Sequence, residues 1–89
     1  MSHATYASFV QRGTVCVIDE NDGMSVTNDI EHVLDDLRRA GVLVAGRRLI
    51  YCDSEGVWDE VLLDGGSRFV GFRSLNASTA EEAIRMLER

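Results

Sequence analysis

Arg47–Leu75, RRLIYCDSEGVWDEVLLDGGSRFVGFRSL, is the stretch that decides the fold of this chain. Its three apolar-rich runs are separated by DSEG and DGGS, two clusters of residues typical of turns. The pattern therefore predicts a three-stranded antiparallel meander. The stretch also contains the only Trp and two of the three Phe, so much of the bulky side-chain surface is here. The predicted strands lie near Arg48–Asp53, Val57–Asp64 and Arg68–Leu75.

The residues before the meander predict one strand and one helix. Thr14–Ile18 is a β-branched apolar run that ends in the turn residues DENDG, which indicates a strand. A helix is predicted from Thr27 or Asn28 to Ala40, because four apolar residues recur there with helical spacing and Gly41 follows as the C-terminal residue. The apolar stripe of this helix is Ile30, Val33, Leu34 and Leu37.

The two ends of the chain supply the remaining elements. A second helix is predicted after Asn76, because Ser78 and Thr79 are each followed three residues later by Glu, which gives two overlapping capping boxes. Residues 1–13 are predicted either to add a strand or to be poorly ordered. Within them, Thr5–Val10 either pairs back on the next strand as a hairpin or forms a helical turn.

The element order β-α-β-β-β-α predicts an α+β fold. We expect a mainly antiparallel sheet of about four strands with both helices packed on one face. With 89 residues, of which 45% are hydrophobic, the chain is predicted to be a single domain spanning residues 1–89. No apolar run approaches the roughly 18–20 residues that span a membrane, and the N-terminus does not resemble a secretory signal. The predicted location is the cytoplasm.

The meander predicts an interaction surface. Aromatic and charged residues alternate along its strands, so neither face is purely polar, and helices on one face leave the other uncovered. For Arg73, a cross-strand ion pair with Glu60 and a binding role are both compatible with the pattern. The predicted contact residues are Tyr51, Trp58, Glu60, Phe69 and Arg73.

The net charge of −6 limits the classes of partner. Non-specific nucleic-acid binding needs clustered cations, and an anionic membrane surface repels an acidic chain, so neither partner is predicted. A basic protein partner is compatible with the charge. All nine basic residues are Arg, which a GC-rich coding bias explains without reference to function.

No enzyme motif is present, and the sequence favours a non-enzymatic protein. The acidic turn after Ile18 does not fit the EF-hand register, so no metal and no cofactor are predicted. One candidate ligand site remains at the junction of the first strand and first helix, with Asp19, Thr27, Asn28 and His32, although helix capping is the favoured explanation of Thr27 and Asn28. Cys16 and Cys52 are predicted to be buried thiols, with a disulfide as the alternative.

Two segments, TVCVIDENDGMSVTNDIEHVLDDL (Thr14–Leu37) and IYCDSEGVWDEVLLDGGSRFVGF (Ile50–Phe72), resemble small uncharacterised bacterial proteins of mobile integron gene cassettes. The elements that carry the resemblance are Ser25–Asp29 and Trp58–Glu60. The resemblance implies a cytoplasmic accessory protein of a prokaryote, in a group that is often oligomeric. It transfers no active site.

Three functions follow as hypotheses. The main one is a non-enzymatic interaction module, a homodimer joined through the open sheet face or an edge strand. The second is an acidic antitoxin or inhibitor that neutralises a partner. The third is a small ligand-binding protein or enzyme with its site at the strand–helix junction.

Overall fold

The structure is a computed structural model that describes residues 6–20, 30–53, 55–65 and 68–89. These residues form an α+β fold with five strands and two helices. The elements are β1 (Tyr6–Gln11), β2 (Thr14–Asp19), α1 (Ile30–Arg39), β3 (Leu49–Cys52), β4 (Trp58–Asp64), β5 (Arg68–Ala77) and α2 (Ala80–Leu87).

The five strands form one sheet in the order of the chain, β1-β2-β3-β4-β5. Three of the four pairings are antiparallel, and β2 and β3 are parallel. A parallel pair needs a crossover connection, and α1 lies in the connection between β2 and β3. The predicted mainly antiparallel sheet is therefore confirmed in outline, with β1 as a fifth strand.

A hairpin joins β1 to β2, as one of the two alternatives for this segment predicted. Its turn residues, Arg12 and Gly13, have φ values of +53° and +78°. Positive φ at both central residues is the signature of a type I′ turn, whose twist matches that of the paired strands. The register then continues without a break from Gln11–Thr14 to Tyr6–Asp19.

Helix α1 buries the stripe that the sequence predicts, namely Ile30, Val33, Leu34 and Leu37. The helix ends at Arg39, and Gly41 follows in the left-handed region, with a φ of +74° that glycine adopts without strain. The backbone N–H of Val42 reaches back to the carbonyl of Leu37 at 2.9 Å, which satisfies a carbonyl of the last turn. The predicted start of this helix at Thr27 or Asn28 lies outside the described residues.

Helix α2 begins at the second of the two predicted capping boxes. Thr79 is the N-cap, and its hydroxyl oxygen accepts a hydrogen bond from the backbone N–H of Glu82 at 3.1 Å. The Glu82 carboxylate accepts from the backbone N–H of Ser78 at 3.2 Å, one residue before the cap. The helix buries Ala83, Ile84 and Leu87 against the sheet.

The two helices cover opposite faces of the sheet, so the prediction that both pack on one face is wrong. Val15 and Val17 of β2 pack with α1, whereas Cys16 between them packs with α2. Successive residues of a strand point to opposite faces, so these two groups are separate cores on the two sides of the sheet. A strand that is buried on both faces reads as a continuous apolar run, and Thr14–Ile18 is such a run.

Two irregularities interrupt the pairing of β4 with β5. Between Leu62 and Leu63 the register skips Val70 of β5, and between Trp58 and Asp59 it skips Leu75 and Asn76. An extra residue reverses the face on which the following side chains lie. Phe69 therefore shares the α1 face with Phe72, with ring centroids 5.2 Å apart, although simple alternation predicts opposite faces.

Candidate interaction surface

The five predicted contact residues do not form one exposed surface. Tyr51, Trp58 and Glu60 retain only 2%, 4% and 6% of their accessible surface. Phe69 is half-buried, and Arg73 is exposed. The prediction of a common contact surface is therefore wrong for the three buried residues, because a helix covers each face of the sheet, α1 on the side of Tyr51 and α2 on the side of Trp58 and Glu60.

The two large buried aromatic residues belong to different cores. Tyr51 packs on the α1 face, with its ring centroid 5.8 Å from that of Phe72, and its hydroxyl donates to the Asp19 carboxylate at 3.2 Å. Trp58 packs on the α2 face beside Ile84. Both side chains therefore stabilise the fold.

Glu60 joins two arginines on the α2 side of the sheet. Its Oε2 accepts from Nε of Arg48 at 2.9 Å, and its Oε1 lies 2.8 Å from Nη2 of Arg73. Nη1 of Arg48 also donates to the carbonyl of Leu87 in the last turn of α2, at 2.9 Å. Of the two roles predicted for Arg73, the structure shows the cross-strand ion pair. The two guanidinium groups compensate the cost of burying the charged Glu60 carboxylate.

The predicted ligand site is described only in part. Asp19 ends β2 and accepts the hydrogen bond from Tyr51. His32 lies exposed in the first turn of α1. Thr27 and Asn28 lie outside the described residues. In the described part of the chain, no group of three or more His, Cys, Asp or Glu side chains is arranged to hold a metal ion.

The two cysteines are buried free thiols on the α2 face, as predicted. Cys16 pairs with Ile50 and Cys52 with Ile18, so one strand spacing and two residues of rise separate the cysteines. The resulting Cα distance of about 8 Å exceeds the reach of a disulfide. Burial raises the pKa of Cys16 to about 11, against a smaller lowering by the backbone of Gln11, so its thiol is protonated at neutral pH.

Strand β1 forms one edge of the sheet, and within the described residues nothing blocks its further pairing. Its sequence, YASFVQ, contains no charge, no Pro and no Gly, and its register with β2 has no bulge. Phe9 and Val10 retain 38% and 43% of their accessible surface, and they point to opposite faces. Edge strands usually carry charges, bulges or Pro that prevent pairing with another chain.

Alternate residues of β1 offer their backbone groups to the outside. In a two-residue hairpin the residues that flank the turn exchange hydrogen bonds, and every second pair beyond them does the same. Gln11, Phe9 and Ala7 therefore bond to β2. The N–H and C=O groups of Ser8 and Val10 point away from the sheet, where a further strand would pair with them.

Tyr6 fixes the start of β1 to the first helix. Its hydroxyl donates to the Asp36 carboxylate at 3.4 Å, and its ring packs against the core under α1. Burial raises the pKa of Tyr6, and the negative charge of Asp36 raises it further. At the other end of β1, Arg12 pairs with Glu88 after α2 at 3.1 Å. The edge strand is therefore attached to the domain at both ends.

Strand β5 forms the opposite edge and carries several protective features. It has two register irregularities, a glycine at position 71, and two charged residues, Arg68 and Arg73. Its most exposed apolar side chain is Val70, at 64%, which lies at one of the irregularities. Bulges twist an edge away from regular pairing, and charges raise the cost of covering it.

Phe9 and Val10 are the residues that sequence reasoning missed. The signal was available, because YASFVQ is an uncharged run with two adjacent large apolar residues. The sequence could not show that this run is an edge strand, because a hairpin and a helical turn fitted it equally well.

Neither of the two described helices, with ten and eight residues, is long enough to cross a membrane. Comparison of the chain with protein-family models, with curated proteins and with solved structures gave no match.

Proposed function

We propose that this protein is a non-enzymatic interaction module that associates with a second copy of itself through strand β1. The single observation that carries the proposal is the unprotected edge of β1, with exposed Phe9 and Val10 and outward backbone groups. Pairing of β1 with β1 of a second copy, in antiparallel orientation, would extend the sheet to ten strands. Main-chain hydrogen bonds would provide the affinity, and the exposed side chains would be covered on both faces.

A second copy is the partner that the charges favour. Antiparallel pairing brings the turn of one copy, with Arg12, toward the end of the other copy where Asp19 and Glu20 stand. The two-fold axis repeats this contact, so two opposite-charge contacts would form. A strand without charge offers nothing specific to a strongly basic or acidic partner.

The interface would be small, because one strand of six residues forms it. Interfaces of this size are typical of weak complexes, so we expect an association that depends on protein concentration in the micromolar range, about 1–100 μM. The predicted resemblance to integron-cassette proteins, a group that is often oligomeric, is compatible with this association. The resemblance itself stays a hypothesis.

Sedimentation velocity of three proteins tests the proposal. We expect the wild type to dimerise, and Val10→Lys to sediment as a monomer with an unchanged circular dichroism spectrum. Val70→Lys places the same charge on the other edge and should sediment like the wild type. A monomeric wild type at about 500 μM, well above the expected range, or dissociation by Val70→Lys and not by Val10→Lys, would contradict the β1 interface.

Proline substitution separates backbone pairing from side-chain contact. Ser8→Pro removes an outward N–H that β2 does not use, so the domain should fold and fail to dimerise. Ala7→Pro removes an N–H that bonds to β2, so it should destabilise the hairpin itself. A folded Ser8→Pro variant that dimerises like the wild type would show that the edge backbone is not the contact.

A further inference from the structure

A small cavity opens where strand β3 begins. Its volume is about 270 Å³, and it lies between residues 46–49 and residues 60–63. Its lining includes Arg47, Arg48 and Glu60, together with Leu49, Leu62 and Leu63. Small-molecule sites have this composition, with apolar walls and a few charged groups, and the volume is at the lower limit for such sites.

The cavity exists because two neighbouring strands differ in length. Strand β3 begins at Leu49, opposite Val61, whereas β4 continues to Asp64. The last three residues of β4 therefore have no strand beside them on the β3 side. The chain before β3 turns at Gly46, with a φ of +89°, and leaves a gap next to Leu62 and Leu63. The gap follows from the lengths of the strands and not from one side-chain rotamer.

The charges around the cavity favour an anion. Glu60 is already matched by Arg73 and by Nε of Arg48. Arg47 uses Nη1 for the carbonyl of Val42, at 2.8 Å. Each guanidinium group has five N–H donors, so both Arg47 and Arg48 keep donors for a further partner. The two arginines and one glutamate of the lining sum to one positive charge, in a chain whose net charge is −6.

We propose that this cavity binds a small aliphatic monocarboxylate. Its carboxylate would accept hydrogen bonds from Arg47 and Arg48, and its short chain would lie against Leu62, which shares a face of β4 with Glu60. A single negative charge neutralises the lining, whereas the second charge of a phosphate would face the Glu60 carboxylate. The volume limits the ligand to a few carbon atoms. This site is separate from the β1 edge, so it does not depend on the proposed dimer.

Isothermal titration with four probes tests the ligand class. We expect hexanoate to bind more tightly than acetate, because its chain covers Leu62, and we expect no binding of hexanol or of inorganic phosphate. Equal binding of hexanoate and hexanol would show an apolar gap without an anion site. Equal binding of phosphate would also overturn the proposal. So would no binding of hexanoate at about 10 mM, which is about tenfold above the Kd of about 1 mM of a weak ligand.

Two arginine variants locate the site. Arg47→Gln should weaken hexanoate binding by about tenfold or more, as expected for the loss of a charge-assisted hydrogen bond. Arg68→Gln removes the same charge from β5, outside the cavity, and should bind like the wild type. Leu62→Gln provides a second variant, which should remove the preference for hexanoate over acetate while acetate still binds. Unchanged binding by Arg47→Gln and Leu62→Gln would overturn the assignment.

The titration of Val10→Lys separates this site from the dimer, because a monomeric variant should bind hexanoate like the wild type.

Discussion

The two edge strands of the sheet differ in the features that decide whether a strand edge pairs with another chain. Strand β5 is irregular and charged, its own Leu75 is buried in the α2 core, and the neighbouring strand β4 buries Trp58 in the same core. Strand β1 is regular and uncharged, and two of its apolar side chains are exposed. Both are terminal strands of the same sheet, so position alone does not explain the difference.

Among the described residues, β5 carries features that protect an edge and β1 does not. The Glu60–Arg73 ion pair ties β5 to β4, whereas the long-range polar contacts seen at β1 in the described part of the chain are those of the Tyr6 hydroxyl and of the adjacent Arg12. A strand edge without charges, bulges or Pro is able to pair with another chain. The proposed function depends on this difference, and three substitution series test it.

The largest expected effect is in the α2 core beside β5. Trp58→Ala, in the neighbouring strand β4, should lower the free energy of unfolding by about 3–5 kcal/mol, because it removes a large side chain from this core. Val10→Ala, on the half-exposed β1 edge, should cost less than about 1 kcal/mol. Urea denaturation at low protein concentration measures both. Equal losses for the two variants would show that Val10 contributes to the fold as much as a buried core residue.

Glycine substitutions give an intermediate effect with opposite signs on the two sides. Gly13→Ala, in the β1–β2 turn, should cost about 1–2 kcal/mol, because the φ of +78° strains any residue with a Cβ. Gly71→Ala, in β5, should stabilise the domain by about 0.4–1 kcal/mol, because a Cβ there meets no atom within 4 Å and the unfolded chain loses freedom. Thermal unfolding of both variants checks the signs. A stabilising Gly13→Ala would contradict the type I′ turn.

The smallest expected effect depends on pH and is confined to the β5 side. Burial raises the pKa of Asp59, which pairs across the strands with Ser74, and the negative charge of Asp53 raises it further. As the pH rises, Asp59 therefore loses its proton at a lower pH in the unfolded chain, near its ordinary pKa of 3.8, than in the folded state. As pH rises from there through the raised pKa of the folded state, the folded state loses stability relative to the unfolded state.

Asp59→Asn should therefore raise the melting temperature at pH 7, and the gain should shrink as the pH falls toward 3.8. Asp64→Asn, at an exposed position of the same strand, controls for the change in net charge. Melting curves of both variants measure the effect between about pH 3.5 and 7, a range that covers the titration of carboxylates. Strand β1 contains no carboxylate, so its pairing should not follow this pH dependence. A gain that grows with acidity would contradict the direction of the shift.

Much of the fold was predictable because its signals are local. The strand Thr14–Asp19, the apolar stripe of α1 and the Thr79 cap of α2 each depend on residues within one turn or one strand. The bulge at Val70 was not predicted, although the neighbouring Gly71 is a residue type that often marks one, because a glycine also fits a regular strand. This bulge places Phe69 and Phe72 on the same face. The candidate surface failed because the burial of Trp58 depends on where α2 packs.

The sequence by itself determined the α+β class and the order and approximate bounds of the elements from β2 to α2 within the described residues, because periodicity, turn residues and capping act over a few neighbouring positions. It left β1 open between a strand and a helical turn, and it left a disulfide as the alternative to two free thiols. Only the tertiary structure decided which face each helix covers and which strands are edges. These properties arise from contacts between residues far apart in the chain, such as Glu60 with Arg73 and Cys16 with Ile50. The meander at Arg47–Leu75 therefore contributes most of its large side chains to the two cores, and the unprotected edge is formed by a strand outside it.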